Sequence, residues 1–289
     1  MSEYLDSLII DLKRKLPFIF FIGNGVSRLF GAKGWIDVCK ELINKCDELR
    51  LYQSLSEKKG LEEFLDDPSY YPSIIGDCKR VLLENDHENI YKEVILNSMP
   101  NKPQDEIFKI IYKLSPHAIV TTNIDEQIPV FSNFRICDLV TSEIPIGDAI
   151  FYLHGVKSKF ESIVFTRDDY IRHYSKRNIS DFVQQLFTYS ILFIGYGFEE
   201  YQILDAIGKN KNPSNANKIY RLCPVLDIYE VHTKIINRFL SNEYGIKTIN
   251  YSVETGYEAL YDILNKIDFQ LNRDTPEMTD FETEGKLTG

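Results

Sequence analysis

Cysteine and histidine are scarce in this sequence, and neither is arranged as a metal site or a disulfide framework requires. The 289 residues include five cysteines and five histidines. No two cysteines are spaced as C-x-x-C, and no histidines form an H-E-x-x-H pattern. The odd number of dispersed cysteines indicates reduced, mostly buried thiols, so the sequence predicts no metal site.

Basic residues are fewer than acidic ones. The chain has 33 Lys and Arg against 43 Asp and Glu, which gives a formal net charge of -10. Because such a surface is poorly suited to neutralise phosphates, no direct nucleic acid binding is expected. The apolar run near the N-terminus, Phe18 to Ile22, is too short for a signal peptide or a membrane span. We therefore expect a cytoplasmic protein that does not bind membranes.

Short apolar segments rich in β-branched and aromatic residues alternate with segments of helical spacing over much of the chain. Their length favours buried strands, predicted at Phe18 to Ile22, Ala118 to Thr121, Arg135 to Leu139, Ile150 to Leu153, Ser162 to Phe165, Ile191 to Ile194, Ile219 to Leu222 and Ile246 to Ile249. Helical spacing is found at Asp181 to Tyr189, Tyr201 to Ile207, Tyr229 to Leu240 and Tyr257 to Phe269. This alternation predicts an α/β fold with a Rossmann-like parallel sheet.

Two parts of the chain depart from the alternation. Residues from about 36 to 114 show only helix-like patterns, which predict a helical insertion beside the sheet. Residues 271–289 are rich in acids, glycine and proline and poor in apolar residues, which predicts a flexible acidic tail. Residues 1–270 are then one domain that includes the insertion.

Glycine-rich turns follow two of the predicted strands. The first strand runs into Gly23-Asn24-Gly25-Val26-Ser27, and a later one ends in Gly195-Tyr196-Gly197. Glycines at a strand-to-helix junction let the backbone approach a pyrophosphate, towards which the next helix directs its N-terminal N–H groups. The spacing is not the full G-x-G-x-x-G fingerprint, so an ordinary tight turn is the alternative in each case.

Polar residues follow two other predicted strands. Thr121-Thr122-Asn123-Ile124-Asp125 comes at the end of one strand, and His154-Gly155 at the end of another. In an open α/β sheet, ligands bind in the crevice beyond the carboxyl ends of the strands. The alternatives are a helix N-cap for the first segment and a structural role for His154. Because all four segments are predicted at the same end of one sheet, together they predict a nucleotide site.

In this order, these segments together with Val164-Phe165-Thr166-Arg167-Asp168-Asp169-Tyr170 resemble the bacterial sirtuin-like domains of antiphage defence systems, over roughly residues 17 to 265. The resemblance implies a Rossmann-like NAD-binding sheet with a helical subdomain. It also implies an NAD hydrolase activity that depletes NAD and so stops an infected cell from supporting phage.

The resemblance assigns roles to particular residues. Asn123 would hold the ribose and the attacking water, His154 would be the base, and Asp125 would contact the nicotinamide carboxamide. The phosphates would be cradled, largely through backbone N–H groups, by Gly23, Asn24, Gly25, Ser27, Gly195 and Gly197. The same resemblance places Thr122, Tyr196 and Glu200 in the NAD-binding set, with Glu200 close to a ribose.

The sequence departs from protein-deacylating sirtuins, which carry two zinc-binding C-x-x-C pairs after the H-G element. Here no cysteine lies between His154 and Cys223. This favours an NAD hydrolase without zinc over a deacylase, while a subunit that binds NAD or ADP-ribose without cleaving it is the other alternative. The resemblance also implies a homo-oligomer and a protein partner, such as a HerA-like ATPase or a phage sensor.

Overall fold

The fold is built on a seven-stranded sheet in which every strand pairing is parallel. A computed structural model describes residues 3–100, 105–129, 134–137, 145–198, 200–211, 218–254 and 256–273. The α/β Rossmann-like fold predicted from the sequence is confirmed. The strands are β1 (Phe18–Ile22), β2 (Ala118–Thr121), β3 (Arg135–Cys137), β4 (Ala149–Tyr152), β5 (Ser190–Ile194), β6 (Ile219–Val225) and β7 (Ile246–Ser252).

The order of the strands creates a switch point beside β1. The sheet runs β3-β4-β2-β1-β5-β6-β7, so the chain builds one half of the sheet on one side of β1 and then crosses to β5 on the other side. Connections that leave in opposite directions open a crevice at the carboxyl ends of the two central strands. The segments that follow β1 and β5 therefore lie at the place where α/β sheets bind ligands.

Helices cover both faces of the sheet and form an additional layer beside it. The helices are α1 (Glu3–Lys13), α2 (Asn24–Arg28), α3 (Trp35–Glu48), α4 (Leu55–Glu63), α5 (Tyr71–Glu84), α6 (Glu88–Asn97), α7 (Asp105–Lys113), α8 (Arg167–Tyr174), α9 (Arg177–Leu186), α10 (Tyr201–Asn210), α11 (Glu230–Tyr244) and α12 (Ala259–Asn272). One face of the sheet packs against α1, α7 and α12, and the other against α9, α10 and Leu240 of α11. Among the described residues, none of these helices is both long and apolar enough to cross a bilayer.

Helices α3, α5 and α6 share a hydrophobic core of their own, which also includes Ile124 and Ile163 from loops next to the sheet. This helical layer differs at one end from the predicted insertion of residues 36–114. Helix α7 packs against the sheet instead, because its residues Ile107, Phe108 and Ile111 are buried in the core on one face of the sheet. Helix α12 continues to Asn272, past residue 271 where the tail was predicted to begin, and residues 274–289 lie outside the described part.

Seven of the eight predicted strands are present, and the one at Ser162 to Phe165 is wrong. That segment begins at the last residue of a short 3-10 turn, Phe160–Ser162, and is not assigned as a strand. Ile163 is buried and Phe165 is partly buried against the helical layer, where Phe165 stacks on Trp35 with ring centroids 4.4 Å apart. An apolar run signals burial, but the surface against which it is buried is set by the tertiary fold. Residues 138 and 139 of the third predicted strand lie outside the described part.

Candidate functional site

A cavity lies at the carboxyl edge of the sheet, between the strand ends and the helical layer. Its volume, taken as the space open to the centres of water-sized spheres, is about 80 Å³. The sheet side contributes Asn24 after β1, residues 122–125 after β2, His154 after β4 and Glu200 after β5. The other walls are formed by Ala32, Lys33, Trp35, Val38, Ser98, Met99, Pro100, Phe165 and Tyr170.

Asn123 is held in one orientation at the floor of this cavity. Its side-chain nitrogen Nδ2 donates to the carbonyl oxygen of Gly23 at 3.1 Å and to Oγ of Ser27 at 2.9 Å. Because a carbonyl oxygen can only accept, this contact decides which way the amide faces. The other amide atom, Oδ1, is buried and has no hydrogen-bond partner. A buried acceptor without a partner in a cavity wall is suited to a ligand hydroxyl or a water molecule.

Ser27 links Asn123 to Asp125. The Ser27 hydroxyl accepts from Asn123 and donates to Oδ2 of Asp125, while Oδ1 of Asp125 accepts from the backbone N–H of Gln127 at 3.0 Å. Ser27 is fully buried and is not among the residues that line the cavity. The structure therefore places Ser27 behind the cavity wall, where it holds the side chains of Asn123 and Asp125 in place.

The two glycine-rich turns are packed directly against each other. The N–H groups of Gly23 and Gly25 donate to the carbonyl oxygens of Ile194 and Gly195 at 2.9 and 2.8 Å. A Cβ added at Gly23 would lie 2.5 Å from the Gly195 oxygen, and one added at Gly25 would lie 2.8 Å from the Gly195 Cα. The N–H groups of Gly23 and Gly25 are therefore already paired with backbone carbonyl oxygens. The glycines are needed because two stretches of backbone approach within contact distance.

His154 lies against a buried tyrosine and a carboxylate. Its Nε2 is 2.9 Å from the hydroxyl of Tyr174 and 3.3 Å from Oε2 of Glu200, and Tyr174 donates to that same carboxylate at 3.1 Å. Burial, followed by the charge of Glu200, raises the pKa of Tyr174 well above its usual value, so the hydroxyl keeps its proton. Since that one proton is donated to Glu200, the tyrosine oxygen accepts from Nε2–H of His154. Neutral His154 then has Nδ1 as its proton-accepting nitrogen.

A second histidine stands beside His154 and stays neutral. The rings of His154 and His173 meet edge to face with centroids 6.0 Å apart. Burial, followed by the nearby His154, lowers the pKa of His173 to about 3. At neutral pH, His173 therefore adds no positive charge next to His154.

The residues predicted from the sequence fall into two groups. Six of them line one cavity together, namely Asn24, Thr122, Asn123, Asp125, His154 and Glu200. The others, Gly23, Gly25, Ser27, Gly195, Tyr196 and Gly197, are not part of its lining. The ring of Tyr196 packs among Phe21, Phe193 and Phe198 in the core. Residues 122–129 form no helix, so the N-cap alternative for Thr122, Asn123 and Asp125 does not apply.

Sequence reasoning missed several residues around the cavity. Tyr174, which bonds His154, lies on α8, a helix that was not predicted. A signal was available, because Thr166 and Asp169 form a capping box at the start of that helix. Among the described residues that line the cavity, Lys33 carries a positive charge and forms an ion pair with Glu41 at 2.5 Å. No local pattern marks Lys33, because its position depends on how the loop after α2 folds back.

Comparison with known proteins agrees with this architecture. Residues 117–249, from just before β2 to within β7, match the family model described as SIR2-like domain. This region is similar to SIR2-like domains. The chain is also 28% identical, over 210 residues, to defense-associated sirtuin 2 of Bacillus subtilis. That alignment covers 68% of this chain and 19% of the relative, so the chain spans about a fifth of the relative's length. Both matches support a sirtuin-like domain.

Proposed function

We propose that this chain is an NAD glycohydrolase, which converts NAD and water to ADP-ribose and nicotinamide and acts as an antiphage defence effector by NAD depletion. The observation that carries the proposal is the shared cavity of Asn123 and His154 at the switch point of the sheet. The similarity to SIR2-like domains and to a defence-associated sirtuin supports the same conclusion.

The cavity's polar groups fit a nucleoside ribose. The partnerless Oδ1 of Asn123 is a hydrogen-bond acceptor for a ribose hydroxyl or for the attacking water. Asp125 is held in position by Ser27 and the N–H of Gln127, and we assign it to the carboxamide of nicotinamide. The apolar side chains of Trp35, Val38 and Phe165 form part of the cavity wall, against which an aromatic ring can pack.

His154 is assigned as the base, through Nδ1. Nicotinamide departs with the electron pair of its bond to ribose C1′ and needs no proton, so no general acid is required. A water molecule then adds to the cationic C1′, and the proton that it loses passes to Nδ1 of His154. The Tyr174 hydroxyl and the Glu200 carboxylate hold the imidazole at Nε2, which leaves Nδ1 as the nitrogen that accepts the proton. In this proposal Glu200 acts on His154 rather than on a ribose.

Incubation of the pure chain with NAD tests the proposal. We expect chromatography to show nicotinamide and ADP-ribose in equal amounts, with release that does not require an acylated peptide. Binding of NAD without release of nicotinamide, both alone and with a candidate partner ATPase, would instead identify a binding subunit. Release that appears only when an acylated peptide is added would identify a deacylase. Either result would contradict the glycohydrolase.

Tyr174→Phe is expected to lower kcat by roughly 10-fold and to change KM by less than about twofold, because outer hydrogen bonds tune a reacting group without touching the substrate. Tyr174 does not line the cavity, which is why KM should be nearly constant. Steady-state kinetics on pure protein provides the measurement. The matched control is Tyr220→Phe, since the Tyr220 hydroxyl also bonds a carboxylate, that of Asp11, at 2.7 Å. If both variants lose activity equally, Tyr174 has no special role in positioning His154.

Assembly is part of the same proposal. We assign the chain a homo-oligomeric state and a protein partner, of which a HerA-like ATPase or a phage sensor is the expected kind. The support is the similarity to a defence-associated sirtuin of which this chain spans only a fifth. Copurification of the tagged chain with the product of a neighbouring gene would identify that partner.

A further inference from the structure

Positive charge is scarce around the cavity. Among the described residues, its lining includes a single Lys or Arg side chain, that of Lys33, together with the carboxylates of Asp125 and Glu200. The sequence as a whole is also acidic, with a formal net charge of -10. A substrate that carries two phosphate charges is repelled by such surroundings unless a cation faces those charges. Lys33 is the cation on this lining that can do so.

The backbone of Lys33 is fixed between the two sides of the cavity. Its carbonyl oxygen accepts from Nδ2 of Asn24 at 3.2 Å, and its N–H donates to the carbonyl oxygen of Ser98 at 2.8 Å. Asn24 is the first residue of α2 and belongs to the glycine-rich turn after β1, whereas Ser98 ends α6 in the helical layer. Lys33 is therefore anchored beside the switch point of the sheet, where α/β folds bind ligands.

The side chain of Lys33 is held less firmly than its backbone. Nζ pairs with Oε2 of Glu41 at 2.5 Å, and the two side chains are 36% and 29% exposed. Glu41 lies on α3 and is not among the residues that line the cavity. Because water screens both charges, an ion pair this exposed contributes little to stability. A pyrophosphate has two negative charges and several acceptor oxygens, so it can displace the single carboxylate of Glu41 from Lys33.

We propose that Lys33 binds the pyrophosphate of NAD, and that Glu41, its partner in the structure, competes with the pyrophosphate for the ammonium group. This inference rests on NAD as the substrate in the proposed function, but not on how the bond to nicotinamide is cleaved. The exchange of partners needs only rotation of the side chain, because both anchoring hydrogen bonds of Lys33 are made by its backbone. Lys33 thus sets the affinity for the dinucleotide, whereas Asn123 and His154 act on the reacting bond.

Calorimetric titration with ADP-ribose tests the proposal, because this ligand has the pyrophosphate but no nicotinamide to lose. Lys33→Met removes the ammonium group and should weaken binding by about 10-fold or more, the effect of losing a charge-assisted hydrogen bond. Glu41→Gln removes the competitor and should tighten binding by about two- to fivefold, which corresponds to the strength of an exposed ion pair. Both variants break the same ion pair. If that pair only stabilised the loop, both would weaken binding.

Lys58 and Asp47 provide a matched control pair. Lys58 also pairs with a carboxylate of α3, since its Nζ lies 2.6 Å from Oδ2 of Asp47, and neither residue lines the cavity. Lys58→Met and Asp47→Asn should therefore leave the affinity for ADP-ribose unchanged. Thermal unfolding of all four variants should match that of the natural chain, which excludes misfolding as the cause of any change.

Steady-state kinetics with NAD gives a second readout. Lys33→Met should raise KM by about the factor by which it weakens ADP-ribose binding and should change kcat by less than about twofold, because it removes binding that is uniform along the reaction. Equal affinity of Lys33→Met and the natural chain for ADP-ribose, or weaker binding by Glu41→Gln, would overturn the role of Lys33 and leave the glycohydrolase untouched. A natural chain that binds neither ADP-ribose nor NAD would contradict both proposals.

Discussion

Asn123→Ala is expected to lower the rate of NAD cleavage by about 100-fold or more, which corresponds to at least about 2.7 kcal/mol of lost transition-state stabilisation. The substitution removes Oδ1, which we assign to the ribose and the attacking water. It also removes the amide nitrogen that ties the carbonyl oxygen of Gly23 to Ser27. Both losses affect the reacting centre, so kcat should fall by a larger factor than KM rises.

Asn123→Asp distinguishes the chemistry of the side chain from its size. The new carboxylate has the same shape but would face the carbonyl oxygen of Gly23 with an acceptor in place of a donor. We expect a loss comparable to that of Asn123→Ala. Asn97→Ala, at the exposed C-terminal end of α6, is the matched control and should retain full turnover. Turnover by Asn123→Ala equal to that of the natural chain would remove Asn123 from the mechanism.

Gly195→Ala is expected to destabilise the fold strongly and to abolish NAD binding. Gly195 has a φ of +65°, and an added Cβ would lie 2.7 Å from the backbone nitrogen of Val26 and 3.1 Å from the Cα of Gly25. Both contacts are with backbone, so relief requires that the turns after β1 and β5 move apart. We expect a loss of about 3 kcal/mol or more in the free energy of unfolding, measured by chemical denaturation.

Gly245→Ala provides a matched control for that experiment. Gly245 has a φ of +70° at the end of α11, but an added Cβ would have no heavy atom within 4 Å. This substitution therefore carries only the cost of a left-handed alanine, about 1–2 kcal/mol. The difference between the two variants measures the packing of the two glycine-rich turns. If the two losses are equal, the close approach at Gly195 contributes nothing to stability.

Much of the fold could be predicted because each strand can be recognised from its own short apolar sequence. β1 is a continuous apolar run, as is β5 after Ser190, and both strands are buried along their whole length, as is typical of central parallel strands. The same reasoning failed at Ser162 to Phe165, where burial is against helices instead of strands. Along α11, the apolar spacing indicates one face but does not reveal that this face points away from the core.

The sequence by itself determined the parallel α/β sheet and the polar residues at the strand ends, because burial of apolar runs and the position of turns are local properties. Only the tertiary structure decided how those residues are used. The Ser27–Asp125 and Asn123–Gly23 hydrogen bonds join positions 98 and 100 residues apart in the chain. The Tyr174–Glu200 hydrogen bond joins α8, which precedes β5 in the chain, to the segment that follows β5. These pairs form only when strands that are distant in the chain become neighbours in the sheet. No local pattern of residues encodes that arrangement.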